Sequence, residues 1–179
     1  LTLEVLSRRP DGYHEICSVM QAVGLYDELT FESGGEITLV SHGLDLNPEE
    51  NLVMKAARLL QRKGGKSAGA RMVLEKAIPS GAGLGGGSSD AAAALVALNQ
   101  LWELGLSSEE LAGVASQVGS DVPFFVYGGT ALVQGKGEEV TRLGPVSATW
   151  VVLLHPPVPV PADKTRRMYG SLTANDFTD

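Results

Sequence analysis

The sequence predicts an α+β fold, on two observations. Its β-like runs come in groups instead of each being followed by a helix, and its helical patterns are few, with glycine marking where they stop. Alternating or β-rich runs occupy residues 1–6, 15–23, 28–32, 36–41 and 71–77. In the first, Leu1, Leu3 and Val5 alternate with Thr2 and Glu4, the period of a strand with one buried face. A helix over 51–62 places Leu52, Val53, Ala56, Leu59 and Leu60 on one side and ends at Gly64-Gly65. A second, over 90–104, turns Leu95, Leu98, Leu101 and Trp102 inward until Gly105 stops it. A third, over 108–118, is announced by a capping box from Ser107 to Glu110 and ends at Gly119. Short β-like runs separated by glycines follow at 124–127, 130–134 and 139–142. Residues 149–154 (TWVVLL) read as the start of a further strand, before a proline-rich turn at Pro156, Pro157, Pro159 and Pro161.

The 179 residues, 44% hydrophobic, suffice for one core. The chain opens as if inside a strand, and too few residues follow the proline-rich turn to build a second core. The expectation is a fragment: one domain over 1–147 and the opening segment of another over 148–179. Fourteen Lys plus Arg against 21 Asp plus Glu give a net charge of −7, which disfavours nucleic acid and confines any polyanion site to a local positive pocket. One cysteine, Cys17, excludes an internal disulfide and reads as a small buried strand residue. His14, His42 and His155 lack metal-ligand spacing, and no metal-binding residues are expected. No stretch approaches the roughly 18 apolar residues of a membrane span, so the expectation is a soluble, cytoplasmic protein.

The most informative segment is Pro79, Ser80, Gly81, Ala82, Gly83, Leu84, Gly85, Gly86, Gly87, Ser88 and Ser89, running into the second helix. Its glycines allow close approach and positive φ, so that consecutive N–H groups converge on one anion. Ser88, Ser89 and Asp90 are good N-cap residues, which would aim the positive end of the helix dipole at a phosphate. Two other phosphate motifs fit less well. Gly81, Gly83 and Gly86 form a G-x-G-x-x-G, but the acidic residue about 20 positions on, Glu103, falls within the helix. Gly65-Lys66-Ser67 has Leu60 where a P-loop needs its first glycine.

Two further segments carry chemistry. Asp121, in Gly119-Ser120-Asp121-Val122-Pro123-Phe124-Phe125, has apolar neighbours that would partly desolvate it, suiting a general base; capping of the turn fits the same residues equally well. In Arg8-Arg9-Pro10-Asp11-Gly12-Tyr13-His14 a turn presents a ring and an imidazole side by side, suited to stacking on a flat base and bonding to its edge. The alternative is that Tyr13 and His14 only begin the next strand, with the arginines solvated.

The motifs RRPDGYHE, NLVMKAARLL, KAIPSGAGLGGGSSDAA and GSDVPFFVYGG, in that order, resemble the GHMP kinase superfamily across essentially the whole chain. The glycine box points to the superfamily, and RRPDGYH narrows the resemblance to its members that phosphorylate 4-diphosphocytidyl-2-C-methyl-D-erythritol in non-mevalonate isoprenoid synthesis. The resemblance implies a GHMP kinase N-terminal domain of the ribosomal protein S5 domain 2-like fold, with the start of a ferredoxin-like C-terminal domain. It implies ATP and Mg2+ as cofactors, with Pro79 to Ser89 holding the β- and γ-phosphates and Ser88 and Ser89 near phosphate oxygens or magnesium. Asn51, Leu52 and Lys76 would border adenine. Tyr13 would stack on the cytosine, His14 would hydrogen-bond to it, and Gly135-Lys136-Gly137-Glu138 would approach the cytidine. Asp121 would take the proton from the 2-hydroxyl as it attacks the γ-phosphorus.

The family also pairs its aspartate with a lysine on the first strand, followed by a substrate-binding asparagine. Both would fall before Leu1, so the chain as given is expected to be impaired as an enzyme. A second aromatic over the cytosine is expected soon after His155, where Tyr169 is the aromatic nearby. The other functions compatible with the residues are a non-catalytic nucleotide-binding module and a GHMP kinase acting on another small alcohol.

Overall fold

A computed structural model describes residues 2–43, 46–65, 68–156, 161 and 164–178. In chain order its strands are β1 (Thr2–Arg8), β2 (His14–Gln21), β3 (Glu28–Gly34), β4 (Ile37–His42), β5 (Gly69–Glu75), β6 (Thr130–Gly135) and β7 (Glu139–Arg142). Its helices are α1 (Leu52–Gly64), α2 (Gly86–Leu101), α3 (Ser108–Val118), α4 (Val122–Tyr127) and α5 (Lys164–Gly170). They form two compact units, one of Leu1–Val23 with Gly128–Asp179, the other of Gly24–Tyr127.

The first unit is built on an antiparallel sheet of order β1-β2-β6-β7. His14, Ile16 and Ser18 alternate as buried residues along β2, and Ile16 lies opposite Gly135, Ser18 opposite Val133. This one-residue alternation sorts the strand into two faces. Cys17 points the other way and is half-buried, a correction to its expected burial: an odd position on this strand cannot share the covered face. The register of β1 on β2 shifts between Val5 and Ser7, a bulge next to the turn that ends in Tyr13.

The second unit packs helices on a three-stranded sheet of order β3-β5-β4, with β3 antiparallel and β4 parallel to β5. A parallel neighbour needs a crossover, and α1 supplies it. Asn51 caps α1 by accepting the Val53 N–H at 2.9 Å, and Gly65 ends it at φ +62°. The core gathers Met72 and Leu74 of β5 against Val53, Ala56 and Leu60 of α1 and Leu95 and Leu98 of α2. Leu52 and Leu59 sit at its margin, and Met54 and Ala57 take the buried places, so the inward face of α1 is rotated from the one expected. The capping box of Ser107 and Glu110 and the span of α3 match the sequence reading.

Three further expectations are corrected. The second helix starts at Gly86, not Asp90, and ends at Leu101; Gly85 is its N-cap at φ +70°, so Ser88, Ser89 and Asp90 lie within the helix instead of capping it. Residues 124–127 are helical, within α4, not β-like. A short apolar run has no periodicity to separate strand from helix, and Pro123 suits a first helical turn. Residues 149–154 pair with no strand among the described residues, and Trp150 is 99% exposed; the β-rich pattern has no partner to complete it. Leu1 and most of the expected proline-rich turn lie outside the described residues. No described helix is long and apolar enough to cross a membrane.

Candidate functional site

In the second unit, the glycine-rich segment leads from β5 to α2. Ser80, Gly81, Gly83 and Gly87 are exposed and Ala82, Leu84 and Ser88 half-buried, so the turn opens to solvent. Gly81, Gly83 and Gly85 adopt φ of +71°, +80° and +70°, angles that an L side chain resists. The first intrahelical amide is that of Ser89, donating to the Gly85 carbonyl at 2.8 Å, and no side chain caps the helix. The N–H groups of Gly86, Gly87 and Ser88 therefore lack helical acceptors and collect at the positive end of a 16-residue helix. Ser89 Oγ donates back to the Gly86 carbonyl at 2.7 Å.

Neighbouring elements close on this first turn. A Cβ at Gly86 would stand 2.9 Å from Ile78 Cγ2 and 3.2 Å from Lys76 Nζ, and one at Gly85 would stand 2.7 Å from the Phe125 ring. A Cβ at Gly87 would meet only Leu52, at 3.7 Å. Leu52 and Lys76 are thus brought beside the helix start. Asn51 is buried with its Oδ1 engaged by the α1 cap.

Asp121 immediately precedes α4, the helix that carries Phe125 against Gly85, so the carboxylate and the glycine turn belong to adjoining elements. Asp121 is open to solvent, yet the protein atoms around it displace enough water to raise its pKa above the usual carboxylate value. The turn before it is held by Lys55 Nζ, which donates to the Val118 carbonyl at 2.7 Å.

Asp27 was not singled out by sequence reasoning. Its side chain, 1% exposed, receives the Ala77 and Ile78 N–H groups at 2.6 and 2.8 Å and the Lys76 ammonium. Lys76, 6% exposed, also donates to Asp90 Oδ2 at 2.8 Å. Burial alone would raise the Asp27 pKa; the ammonium and the two amides outweigh it and hold the carboxyl below its ordinary value. Burial wins at Asp90, pushing it up to about 6 although Lys76 pulls the other way. Two carboxylates share one ammonium, and the one with fewer donors carries the surplus charge.

In the first unit, the Pro-Asp-Gly turn is a built structure. Asp11 accepts the Tyr13 N–H at 3.1 Å, Gly12 sits at φ +86°, and Arg9 pairs with Glu15 at 2.6 Å and Asp11 at 3.3 Å. Arg9 is therefore paired, not merely solvated. Tyr13 is 53% exposed, and Lys136 Nζ lies 4.9 Å from its ring centroid. His14 is buried, with the Tyr169 ring 5.1 Å and the Phe177 ring 6.0 Å away. Tyr169 thus reaches the His14 neighbourhood across 155 positions of sequence, and its signal was to be an aromatic soon after His155. Among the described residues no cluster of His, Cys, Asp and Glu has the makings of a metal site.

An open glycine turn at an uncapped helix start, with Asp121 at the foot of the adjoining helix, stands on an α+β scaffold. Residues 51–129 match the family model of the GHMP kinases N terminal domain, and the chain carries the fold of that domain. It is 52% identical, over 94% of its length, to the 4-diphosphocytidyl-2-C-methyl-D-erythritol kinase of Pelotomaculum thermopropionicum. It is 49% identical, over 96% of its length, to the kinase of the same name from Brevibacillus brevis. The chain spans 60% and 59% of these two curated relatives. A crystal structure of 4-(cytidine 5'-diphospho)-2C-methyl-D-erythritol kinase matches with a TM-score of 0.78 at 38% identity, covering 99% of this chain and 62% of that one. Homoserine kinase from Cytophaga hutchinsonii shares the fold, with a TM-score of 0.59 at 23% identity over 87% of this chain and 52% of its own.

Proposed function

We propose that the protein transfers the γ-phosphoryl group of ATP to the 2-hydroxyl of 4-diphosphocytidyl-2-C-methyl-D-erythritol, in the cytoplasm, as a step of non-mevalonate isoprenoid precursor synthesis. The observation that carries the reading is the start of α2: three amides without helical acceptors or a side-chain cap, behind an open turn in which Gly85 and Gly86 leave no room for a side chain. Such a cradle suits a polyphosphate. ATP with Mg2+, when bound, supplies the phosphoryl donor and neutralises its charge.

The residues of the chain then divide the work. Pro79 to Gly87 and the first turn of α2 would hold the phosphates, with Ser88 and Ser89 near the phosphate oxygens or the magnesium. Asn51, Leu52 and Lys76 border the adenine. Asp121 accepts the proton of the attacking hydroxyl, and its raised pKa makes it the stronger base for that task. Tyr13 stacks on the cytosine, His14 bonds to its edge, and the 135–138 loop lies on the cytidine side, where Lys136 already rests over Tyr13. Tyr169, against His14, is the second aromatic of that subsite.

A coupled assay of ADP release by the full chain tests the proposal. Turnover, slowed as expected of a chain without the lysine and asparagine that the resemblance implies, is expected with 4-diphosphocytidyl-2-C-methyl-D-erythritol and not with homoserine or mevalonate. Preference for either of those alcohols overturns the substrate, and binding of an ATP analogue without any turnover reduces the chain to a nucleotide-binding module.

A further inference from the structure

We infer that Asp27 is the positioning residue of the nucleotide loop, acting through Lys76 and two backbone amides without touching the nucleotide. The inference rests on the nucleotide reading of the glycine turn. Asp27 lies just before β3, outside every motif of that reading, yet its carboxylate joins both ends of the loop. At the entrance it receives the Ala77 and Ile78 amides directly. At the exit it acts through Lys76, whose ammonium it shares with Asp90 on the second turn of α2. Between these anchors, residues 79–84 contribute no side-chain hydrogen bond among the described residues.

A chain rich in positive-φ glycine has many alternative conformations, so its shape must be imposed from its ends. The cluster imposes it. Ile78, fixed by its amide to Asp27, presses on Gly86, and Lys76 stands against the same glycine. A shift of Asp27 therefore moves the floor on which the first-turn amides rest. The buried Lys76 ammonium, already held by two carboxylates, serves the loop as a tie between strand and helix.

Steady-state kinetics on the full chain tests this. Asp27→Asn keeps the shape but sets a neutral amide against the ammonium. It is expected to raise KM for ATP about tenfold or more, while KM for the alcohol substrate and kcat stay within about threefold. A general loss of folded protein would instead lower the apparent kcat and leave both KM values alone. Should Asp27→Asn not fold, Asp27→Glu carries the same test, because it keeps the charge and displaces the carboxylate by one methylene; a smaller rise confined to the KM for ATP is expected. Wild-type protein that saturates with ATP, together with a folded variant whose KM for ATP is unchanged within about twofold, overturns the role of Asp27 alone. Wild-type protein that shows no saturable dependence on ATP and gives no binding of an ATP analogue in calorimetric titration overturns the nucleotide reading and this inference with it.

Discussion

Asp121 and Asp90 are both carboxyls with raised pKa, and the difference between them lies in what surrounds each. Asp121 opens to solvent at the foot of α4 with no hydrogen-bond partner among the described residues, which suits the proposed role of base. In Asp121→Asn, kcat should fall by about two orders of magnitude or more while the affinity for an ATP analogue stays within about twofold, as measured by turnover beside calorimetric titration. If both fall together, the residue holds the fold instead. Asp90 is enclosed and tied to Lys76, so its titration registers in stability. Its pKa is raised to about 6, so between about pH 4 and pH 6 the folded state binds more protons than the unfolded chain, and stability drops as pH rises through that window. Asp90→Asn keeps an acceptor for Lys76 and removes the surplus charge. Urea unfolding at several pH values should show this descent in the wild type and lose it in the variant; parallel profiles would refute the assignment. Asp121 and the Tyr13-His14 pair could be singled out because each stands in a recognisable local segment, although Lys136, Tyr169 and Phe177 come to the second from far along the chain. Asp27 was not, since its partners stand 49 to 51 positions away and a lone aspartate before a strand resembles any turn residue.

At the scale of elements, the second helix shows what glycine conceals. A run of glycines before an alanine-rich helix reads as loop up to the first residue with good propensity, which put the boundary at Asp90. Tertiary packing draws it back to Gly86, because Ile78 and Phe125 press on positions where only a missing side chain fits. The same reasoning separates two adjacent glycines. Gly86→Ala drives a methyl to within 2.9 Å of Ile78 Cγ2, and the resulting overpacking should cost about 1–3 kcal/mol, less whatever alanine returns in helix propensity. Gly87→Ala meets only Leu52 at 3.7 Å, so propensity should prevail and stability rise by up to about 1 kcal/mol. Denaturant unfolding of the two variants decides it: equal effects would mean that the packing around Gly86 does not set the helix start. The same limit explains α4, where an apolar run too short to show a period took its structure from the core around Val122, Pro123 and Phe124.

For the molecule as a whole, the order of the chain and the grouping of its units differ. The strands β2 and β6 pair directly, Gln21 opposite Thr130, although the entire second unit lies between them in sequence. Joining them requires closing a loop of more than 100 residues, whereas the second unit is dominated by helices and by strand pairings that span fewer than 50 positions. Its contacts should therefore form first. The two tryptophans give a clean reporter: Trp102, 4% exposed and donating to the Gly69 carbonyl at 3.1 Å, belongs to the second unit, while Trp150 is almost wholly exposed. In Trp150→Phe, the only remaining indole follows burial in the second unit. On refolding from urea, its emission should shift blue before amide protection appears at Ser18 and Val133 in pulsed hydrogen exchange, and Met72 and Leu74 should be protected together with the fluorescence change. Simultaneous protection of all four amides would mean that the β2–β6 pairing belongs to the folding nucleus, and that the long closure is made while the second unit is still forming.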